Sequence, residues 1–296
     1  MKIAIAKAYN GIHKNFNKHL KSIGVDTLYF DIDKPEWYKI NNKKPDAYIW
    51  LADQKEEHYR EIHDKIYFIE KILNKPVFPN MNMFFAEGDK EKQYYILDYL
   101  KIKMPNTFIT HKKEQALNFI KKTNYPFILK DPYGYGGIHV FKIKNQNEAK
   151  KYIEKIFDKG LQTKFSLCKN IFYGQEFIKA EKDLRVITIN KKAVCAYWRK
   201  NENNKWKHNL EQGGKVYFNN IPQKALLLCE KISKKMNFHW MGYDLLMKND
   251  KPLLLEYSAC IRTKGAEQGK YDIRKLQSIY IYNYLNNKKN YEGKKK

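Results

Sequence analysis

The chain has no apolar stretch long enough to cross a bilayer. Runs such as Ala225–Cys229 fall far short of the roughly 20 residues a spanning helix requires. The opening Met1–Lys7 is interrupted by charge too soon for a signal peptide and reads as a first strand. Cysteine is scarce: Cys168, Cys195, Cys229 and Cys260 lie far apart, with no Cys-x-x-Cys pair and no histidine at ligand spacing. That argues against a zinc site and reads as reduced core thiols of a cytoplasmic protein. Arginine is scarcer still in proportion, with five (Arg60, Arg185, Arg199, Arg262 and Arg274) among 57 basic residues. There is no GxGxxG, no GxxxxGK[ST], and no Ser-His-Asp or Cys-His constellation.

What is present is enough for a real core. Of 296 residues, 43% are hydrophobic and 15% aromatic, so the mean hydropathy of -0.74 reflects lysine and asparagine rather than a lack of apolar groups. The length suits two domains or one large one. The net charge of +25 raises nucleic acid as a partner, yet the lysines are dispersed and no nucleic-acid motif accompanies them. AT-rich codon usage and an anionic substrate or surface remain as the two readings of that charge.

Residues 1–85 alternate strand and helix: strands at Lys2–Ala8, Asp26–Asp31 and Asp46–Leu51, helices at Ile12–Ile23 and Glu56–Leu73. In the second helix Tyr59, Ile62, Ile66, Ile69 and Leu73 recur three or four apart. The alternation predicts a small, mostly parallel sheet. Beyond Glu87 the pattern changes to helices at Asp89–Leu100, Lys113–Lys122, Gln223–Met236 and Ile273–Leu285 beside two hairpins, an α+β arrangement. One hairpin turns through Asn190–Lys192, the other near Asn249–Asp250.

Four places carry chemistry. The second hairpin's loop reads as Lys248–Lys251 or, more tightly, as the three residues Asn249–Lys251, and in the tighter case Asp244 faces Glu256, their Cβ atoms about 5 Å apart. Like charges so placed call for a cation or a shared proton, and Ser258 follows Glu256 on the same face. Two carboxylates and a hydroxyl suit Mg²⁺ gripping phosphate oxygens; two solvated acids on an exposed face are the alternative. Lys130 ends the strand Pro126–Lys130 and precedes a loop with Gly134, Gly136 and Gly137, where backbone N–H groups can approach an anion. An ordinary glycine-rich turn is the competing reading. Glu176, Phe177 and Ile178 form an extended segment able to meet an adenine edge, with Asp183 available to ribose hydroxyls. Arg199, with Asn209 and Gly213–Gly214 beyond it, invites bidentate work on phosphate or carboxylate.

In this order, the motifs resemble the ATP-grasp superfamily and, within it, the RimK-like branch of carboxylate–amine ligases, from about Phe84 to Ile273. Asp89-Lys90 with Pro105 is similar to the opening helix and first nucleotide lysine. Pro126–Lys130 is similar to the second lysine strand, Gly134–Gly137 to the phosphate loop, and Gln175–Ile178 to the adenine hinge. Asp183-Leu184-Arg185, Ala196–Arg199, Asn209…Gly213-Gly214, Gly242-Tyr243-Asp244 and Leu255-Glu256 follow in the family's sequence. Two positions depart from it: Ser258 stands where the family has asparagine, and Cys260-Ile261-Arg262 where it often has a Pro-Gly turn.

The resemblance implies an ATP-grasp fold of α/β and α+β character. It implies a pre-ATP-grasp α/β domain at 1–85, a central lobe at 86–174, a C-terminal lobe at 175–286 and a basic disordered tail at 287–296. ATP is the implied cofactor, on Lys90, Lys130, Gly134, Gly136, Gly137, Glu176, Phe177, Ile178, Asp183 and Arg185. Mg²⁺, with Mn²⁺ as the alternative ion, falls to Asp244, Glu256 and Ser258. Arg199, Asn209 and Arg262 take catalytic roles. The implied reaction is ligation through an acyl-phosphate, with a small-molecule, peptide or acidic saccharide carboxylate and an amine as partners. No membrane and no nucleic acid are expected; a small-molecule kinase on the same scaffold is one alternative, and a non-enzymatic polyanion- or nucleic-acid-binding protein, which the net charge of +25 would drive, is the other.

Overall fold

The computed structural model describes residues 1–8, 11–51, 59–134, 136–162, 167–202 and 206–293. The first unit comprises β1 (Lys2–Ala6), α1 (Ile12–Ser22), β2 (Asp26–Phe30), β3 (Ala47–Ile49), α2 (Tyr59–Tyr67) and β4 (Val77–Phe78). Its strands run in the order β2-β1-β3-β4, every pair parallel. β1 is apolar at consecutive positions because both faces are covered. Ile3 and Ile5 enter one core, while Ala4 and Ala6 enter another with Trp50, Ile62 and Ile66. The expected helix Glu56–Leu73 is described from Tyr59, and Glu56 and the rest of 52–58 lie outside the described residues. After Tyr67 it widens to one i→i+5 turn, Phe68–Ile72, closed by Leu73 N–H on the Phe68 carbonyl at 2.9 Å.

Then follow α3 (Met81–Phe84), α4 (Lys90–Tyr99), β5 (Thr107–Thr110), α5 (Lys113–Lys122), β6 (Phe127–Lys130), β7 (Val140–Ile143), α6 (Gln146–Phe157), β8 (Leu161–Gln162), β9 (Leu167–Cys168) and β10 (Phe172–Glu176). Asp89 caps α4, its carboxylate accepting the Lys92 N–H at 3.0 Å. The sheet β5-β10-β6-β7 is antiparallel throughout. α5 and α6 give it a core of its own, built from Ala116, Ile120, Ile153, Phe127, Leu129 and Phe172.

The remaining elements are β11 (Asp183–Ile189), β12 (Lys192–Lys200), β13 (Lys215–Tyr217), α7 (Gln223–Lys235), β14 (Trp240–Lys248), β15 (Lys251–Ser258), α8 (Lys264–Gln268) and α9 (Ile273–Gly293). The antiparallel order is β13-β12-β11-β14-β15. Ile3, Phe16 and Leu20 of the first unit share one continuous core with Leu184, Trp240 and Leu285 of this one. The first and third sheets are therefore welded together, whereas the second stands on a separate core. A cleft bordered by separately cored bodies is one that can change width.

Two expectations need correction. The segment expected to be a disordered tail from 287 continues α9 as far as Gly293, and only 294–296 lie outside the described residues. Charge alone does not stop a helix already nucleated and packed over its first turns. Each further residue adds a hydrogen bond without a new nucleation cost, and no proline intervenes before Gly293. Both hairpins have two-residue loops rather than three: Asn190 and Lys191 take φ of 51° and 64°, with Lys192 already opposite Ile189, and in the second hairpin Asn249 and Asp250 take 49° and 56°, as a tight primed turn requires. That places Lys248 opposite Lys251 and Leu245 opposite Leu254. A bulge between Asp244 and Leu245, with Leu255 as the extra residue, then restores Asp244 opposite Glu256.

Of the four cysteines none is in a disulfide; Cys168, Cys195 and Cys229 are buried as core thiols, while Cys260 is only half-buried. No described helix is long and apolar enough to cross a membrane.

Candidate active site

A cavity of about 720 Å³ opens between the separately cored sheet and the five-stranded one. All sixteen residues singled out in the sequence border it, from Lys90 to Arg262, as do Lys264 and Arg274. Ile12, Asn15 and Leu51 of the first unit also reach it.

The two lysines enter from different elements. Lys130 is the last residue of β6 and is almost wholly buried. Burial lowers its pKa to about 8, with Lys90 adding to the fall and Glu256 and Asp244 opposing it. Lys90 is the first residue of α4; its ammonium donates to the Gly134 carbonyl at 2.5 Å and lies 3.4 Å from Glu256 Oε2. Between them runs the glycine loop, of which Tyr135 lies outside the described residues. Gly136 and Gly137 have φ of 59° and 77°, a region where side chains are strained. The loop is tied to the opposite wall: Asn209 Nδ2 donates to the Gly136 carbonyl at 3.0 Å, and Lys207 Nζ to the Gly137 carbonyl at 2.9 Å. At its base Asp131, fully buried, accepts the Tyr133 N–H and meets His139 Nδ1 at 3.2 Å.

Gly214 explains the paired glycines beyond Asn209. A Cβ there would lie 1.9 Å from the His208 carbonyl oxygen, which is backbone and has no rotamer to escape into. Gly214→Ala is therefore expected to push the 208–209 segment off the loop, costing about 2 kcal/mol in stability. Urea denaturation with and without ADP measures both effects; an unchanged midpoint and unchanged ADP affinity would refute the tight approach.

The acids sit in a charged lattice. Arg199 grips Asp183 with its Nε and Nη2, at 2.7 and 2.8 Å, and its Nη2 also donates to Asp244 Oδ1 at 2.8 Å. Arg185 donates through Nη2 to Asp244 Oδ2 at 3.0 Å, while its Nε lies 2.7 Å from Oδ1 but off the hydrogen-bonding direction. Two arginines and two aspartates thus neutralise one another inside the fold. Burial raises the Asp244 pKa against the pull of Arg185 and Arg199, with Glu256 adding to the rise. For Glu256 burial also opposes ionisation, but Lys90, Lys130 and Arg185 outweigh it and its pKa is lowered. Arg199 is held charged: burial works against the cation, and Asp183 and Asp244 overcome it.

This donor set fits a divalent cation in one respect and strains in another. Two hard carboxylates face each other across β14 and β15, and Glu256 is open to the cavity. Asp244 has both oxygens already engaged by arginines, so it would share rather than devote them. Among the described residues no group of three or more His, Cys, Asp or Glu side chains gathers as a metal cage. The remaining oxygen ligands would have to come from elsewhere.

At the hinge, Glu176 is the last residue of β10, its carboxylate held by Lys248 Nζ at 2.5 Å and near Asn106 N–H. Phe177 packs edge-on against Trp206, with the Lys142 ammonium 4.0 Å above its ring. Asp183 has both oxygens on Arg199, leaving only spare lone pairs for a ribose. Arg262 is ion-paired with Glu211. His208 is structural: Nδ1 accepts the Asn201 N–H, so Nε2 donates to the Ala180 carbonyl at 3.0 Å.

Three residues escaped the sequence reading. Lys207 and Glu211 flank Asn209 and are invisible as site residues in a chain with so many lysines. Glu87 is buried beside Ser258; its pKa rises to about 7 through burial, against hydrogen bonds from Ala259 N–H and Ser258 and with Glu256 adding to the rise. Only its place three residues before Lys90 was available as a signal.

Residues 87–278 match the model of the RimK-like ATP-grasp domain. The α-aminoadipate–LysW ligase LysX of Saccharolobus solfataricus is 29% identical over 216 residues, covering 70% of this chain and 76% of that one. Two solved structures, each 14% identical, share the fold. A RimK-domain ATP-grasp protein of Sphaerobacter thermophilus has a TM-score of 0.68 over 95% of this chain and 100% of its own. D-alanine–D-alanine ligase of Bacillus anthracis complexed with ATP has a TM-score of 0.72 over 98% and 99%. With the glycine loop, the paired lysines and the opposed acids gathered on one cavity, and the domain match spanning most of the chain, the protein belongs to the RimK-like ATP-grasp family of carboxylate–amine ligases.

Proposed function

We propose that the protein activates a substrate carboxylate with ATP and joins it to an amine, releasing ADP and phosphate. The observation that supports this best is the convergence of Lys90, Lys130, the glycine loop and the Asp244–Glu256 pair on a single cavity. In this reading the adenine lies along Glu176–Ile178 beside Phe177, and Lys90 and Lys130 receive the phosphates. A divalent cation on Glu256, shared by Asp244 and Ser258, would supply positive charge opposite the β- and γ-phosphates.

The chain's own groups do the remainder. Arg199 and Asn209, which both border the cavity, steady the phosphoryl group as it passes to the carboxylate oxygen. The γ-phosphorus–oxygen bond to ADP breaks as the new one forms, leaving an acyl-phosphate. The amine then attacks the acyl carbon, phosphate departs with the C–O bonding electrons, and the amine gives up a proton. The loop at Gly134–Gly137, tied down by Asn209 and Lys207, keeps water from the acyl-phosphate. On the acceptor side Arg262, Lys264 and Arg274 favour an anionic substrate, whether an amino acid, a peptide or an acidic saccharide.

Phosphate release with Mg-ATP, screened over pairs of carboxylates and amines, tests the reading. Release that needs both partners, with an amide product, is expected; phosphate retained on a hydroxyl acceptor would overturn it.

Lys130 gives the site a pH dependence. Bound ADP holds the ammonium charged, so the complex keeps a proton that the free protein loses as pH rises through about 8. ADP affinity measured without metal is expected to fall by up to about tenfold per pH unit above that value. Lys130→Arg, which stays charged, should flatten the profile. A wild-type profile flat from pH 7 to 9 would refute the assignment.

A further inference from the structure

Glu87 is a carboxylate with only 2% exposure, and both of its oxygens are occupied. Oε1 accepts the Ser258 hydroxyl at 2.8 Å; Oε2 accepts the Ala259 N–H at 2.6 Å. The two partners are neighbours at the end of β15, and Glu87 comes from the turn before α4, 171 residues away. Across the ladder Ser258 faces Gly242, which presents no side chain, while Glu256 two residues earlier faces Asp244.

A serine hydroxyl has one proton and two lone pairs and ordinarily rotates to suit its surroundings. Here its nearer acceptor is Glu87 Oε1 at 2.8 Å, with the Cys260 carbonyl at 3.4 Å as the longer alternative. Spending the proton on Glu87 turns Oγ into an acceptor only, with its lone pairs directed away from Glu87. The Ala259 N–H holds the Glu87 carboxylate in register, so that the hydroxyl is oriented by a group that cannot itself swing.

We propose that Glu87 is a positioning residue which orients the Ser258 hydroxyl oxygen toward the divalent cation held by Glu256 and Asp244. This inference rests on the metal reading of those two acids. Glu87 acts through Ser258 and does not itself touch the cation. The arrangement bears on the shortage of devoted ligands: with Asp244 shared between two arginines, an oriented hydroxyl two residues from Glu256 offers an additional hard oxygen on the same strand face. Orienting groups behind a ligand ordinarily matter for metal affinity by about tenfold or more.

The test is Mn²⁺ binding to the full chain in the presence of saturating ADP, followed by the electron paramagnetic resonance of free Mn²⁺. Glu87→Gln and Ser258→Ala are each expected to weaken Mn²⁺ binding about tenfold, and the double variant no more than Ser258→Ala alone, because the two act as one unit. Ser258→Thr, which keeps the hydroxyl, should bind Mn²⁺ as wild type does. ADP affinity measured without metal should be unchanged in all of them.

If Glu87→Gln fails to fold, the contrast between Ser258→Ala and Ser258→Thr decides alone. Equal Mn²⁺ affinity in those two overturns the proposal, as does a Glu87→Gln protein with lower thermal stability but wild-type Mn²⁺ affinity, which marks a mere staple between α4 and β15. Absence of ADP-dependent Mn²⁺ binding in the wild type is a different result: it overturns the metal reading, and this inference with it.

Discussion

Glu256→Gln should reduce ADP formation on the order of 10³-fold while leaving the protein folded. Its carboxylate is the one acid in the lattice open to the cavity, with side-chain exposure of 40%, and it lies among Lys90, Lys130 and Arg185. Replacing it by the isosteric amide removes the negative charge that a cation beside the triphosphate would meet. The fold should notice little, because a partly open ion pair contributes about 1 kcal/mol or less. Coupled turnover assays measure the first effect and a thermal melt the second. Undiminished ADP release would remove Glu256 from the phosphate chemistry.

Arg199→Met has the largest expected effect on stability. The guanidinium is buried and makes three charge-assisted hydrogen bonds, two to Asp183 and one to Asp244. Methionine fills similar space but strands two buried carboxylates, leaving Asp244 with Arg185 alone and Asp183 without its fork. Breaking a buried pair from one side costs about 3–5 kcal/mol, equivalent to a fall of roughly 10 °C in the melting temperature. The double change Asp183→Asn with Arg199→Met should recover part of it, since the stranded charge is removed as well. A melting temperature within 2 °C of wild type would show that the lattice is not holding the sheet together. The same geometry warns that lost activity in an Arg199 variant does not by itself measure a part in phosphoryl transfer, because Asp244 is released at the same time.

These two residues mark what could be read from sequence and what could not. Arg199 stood out through the rarity of arginine, yet its bidentate grip on Asp183 depends on the register that sets β11 beside β12. Asp183, singled out for a ribose, turned out to be Arg199's partner. The opposed pair Asp244 and Glu256 was expected from a three-residue loop; the actual loop has two residues, and the bulge at Leu255 supplies the missing step. Turn residues with positive φ tolerance are visible in sequence, but a bulge is chosen by how the two strands must bend against their neighbours.

Alternation of apolar and polar residues, capping at Asp89, the Asn-Asp turn and the glycine spacing are all written in short stretches of chain. They sufficed to place most of the helices and the two hairpins in order, because each depends on interactions within a few residues; that the motifs belong to one site was implied by the family resemblance. The tertiary structure decided the rest. It set the charge balance that leaves Asp244 shared and Glu256 open. It joined Glu87 to Ser258, and it gave the middle sheet a core separate from the other two. Each of these depends on groups far apart in the chain being desolvated together, and the strength of a charge or a hydrogen bond is fixed only once the surroundings that exclude water are in place.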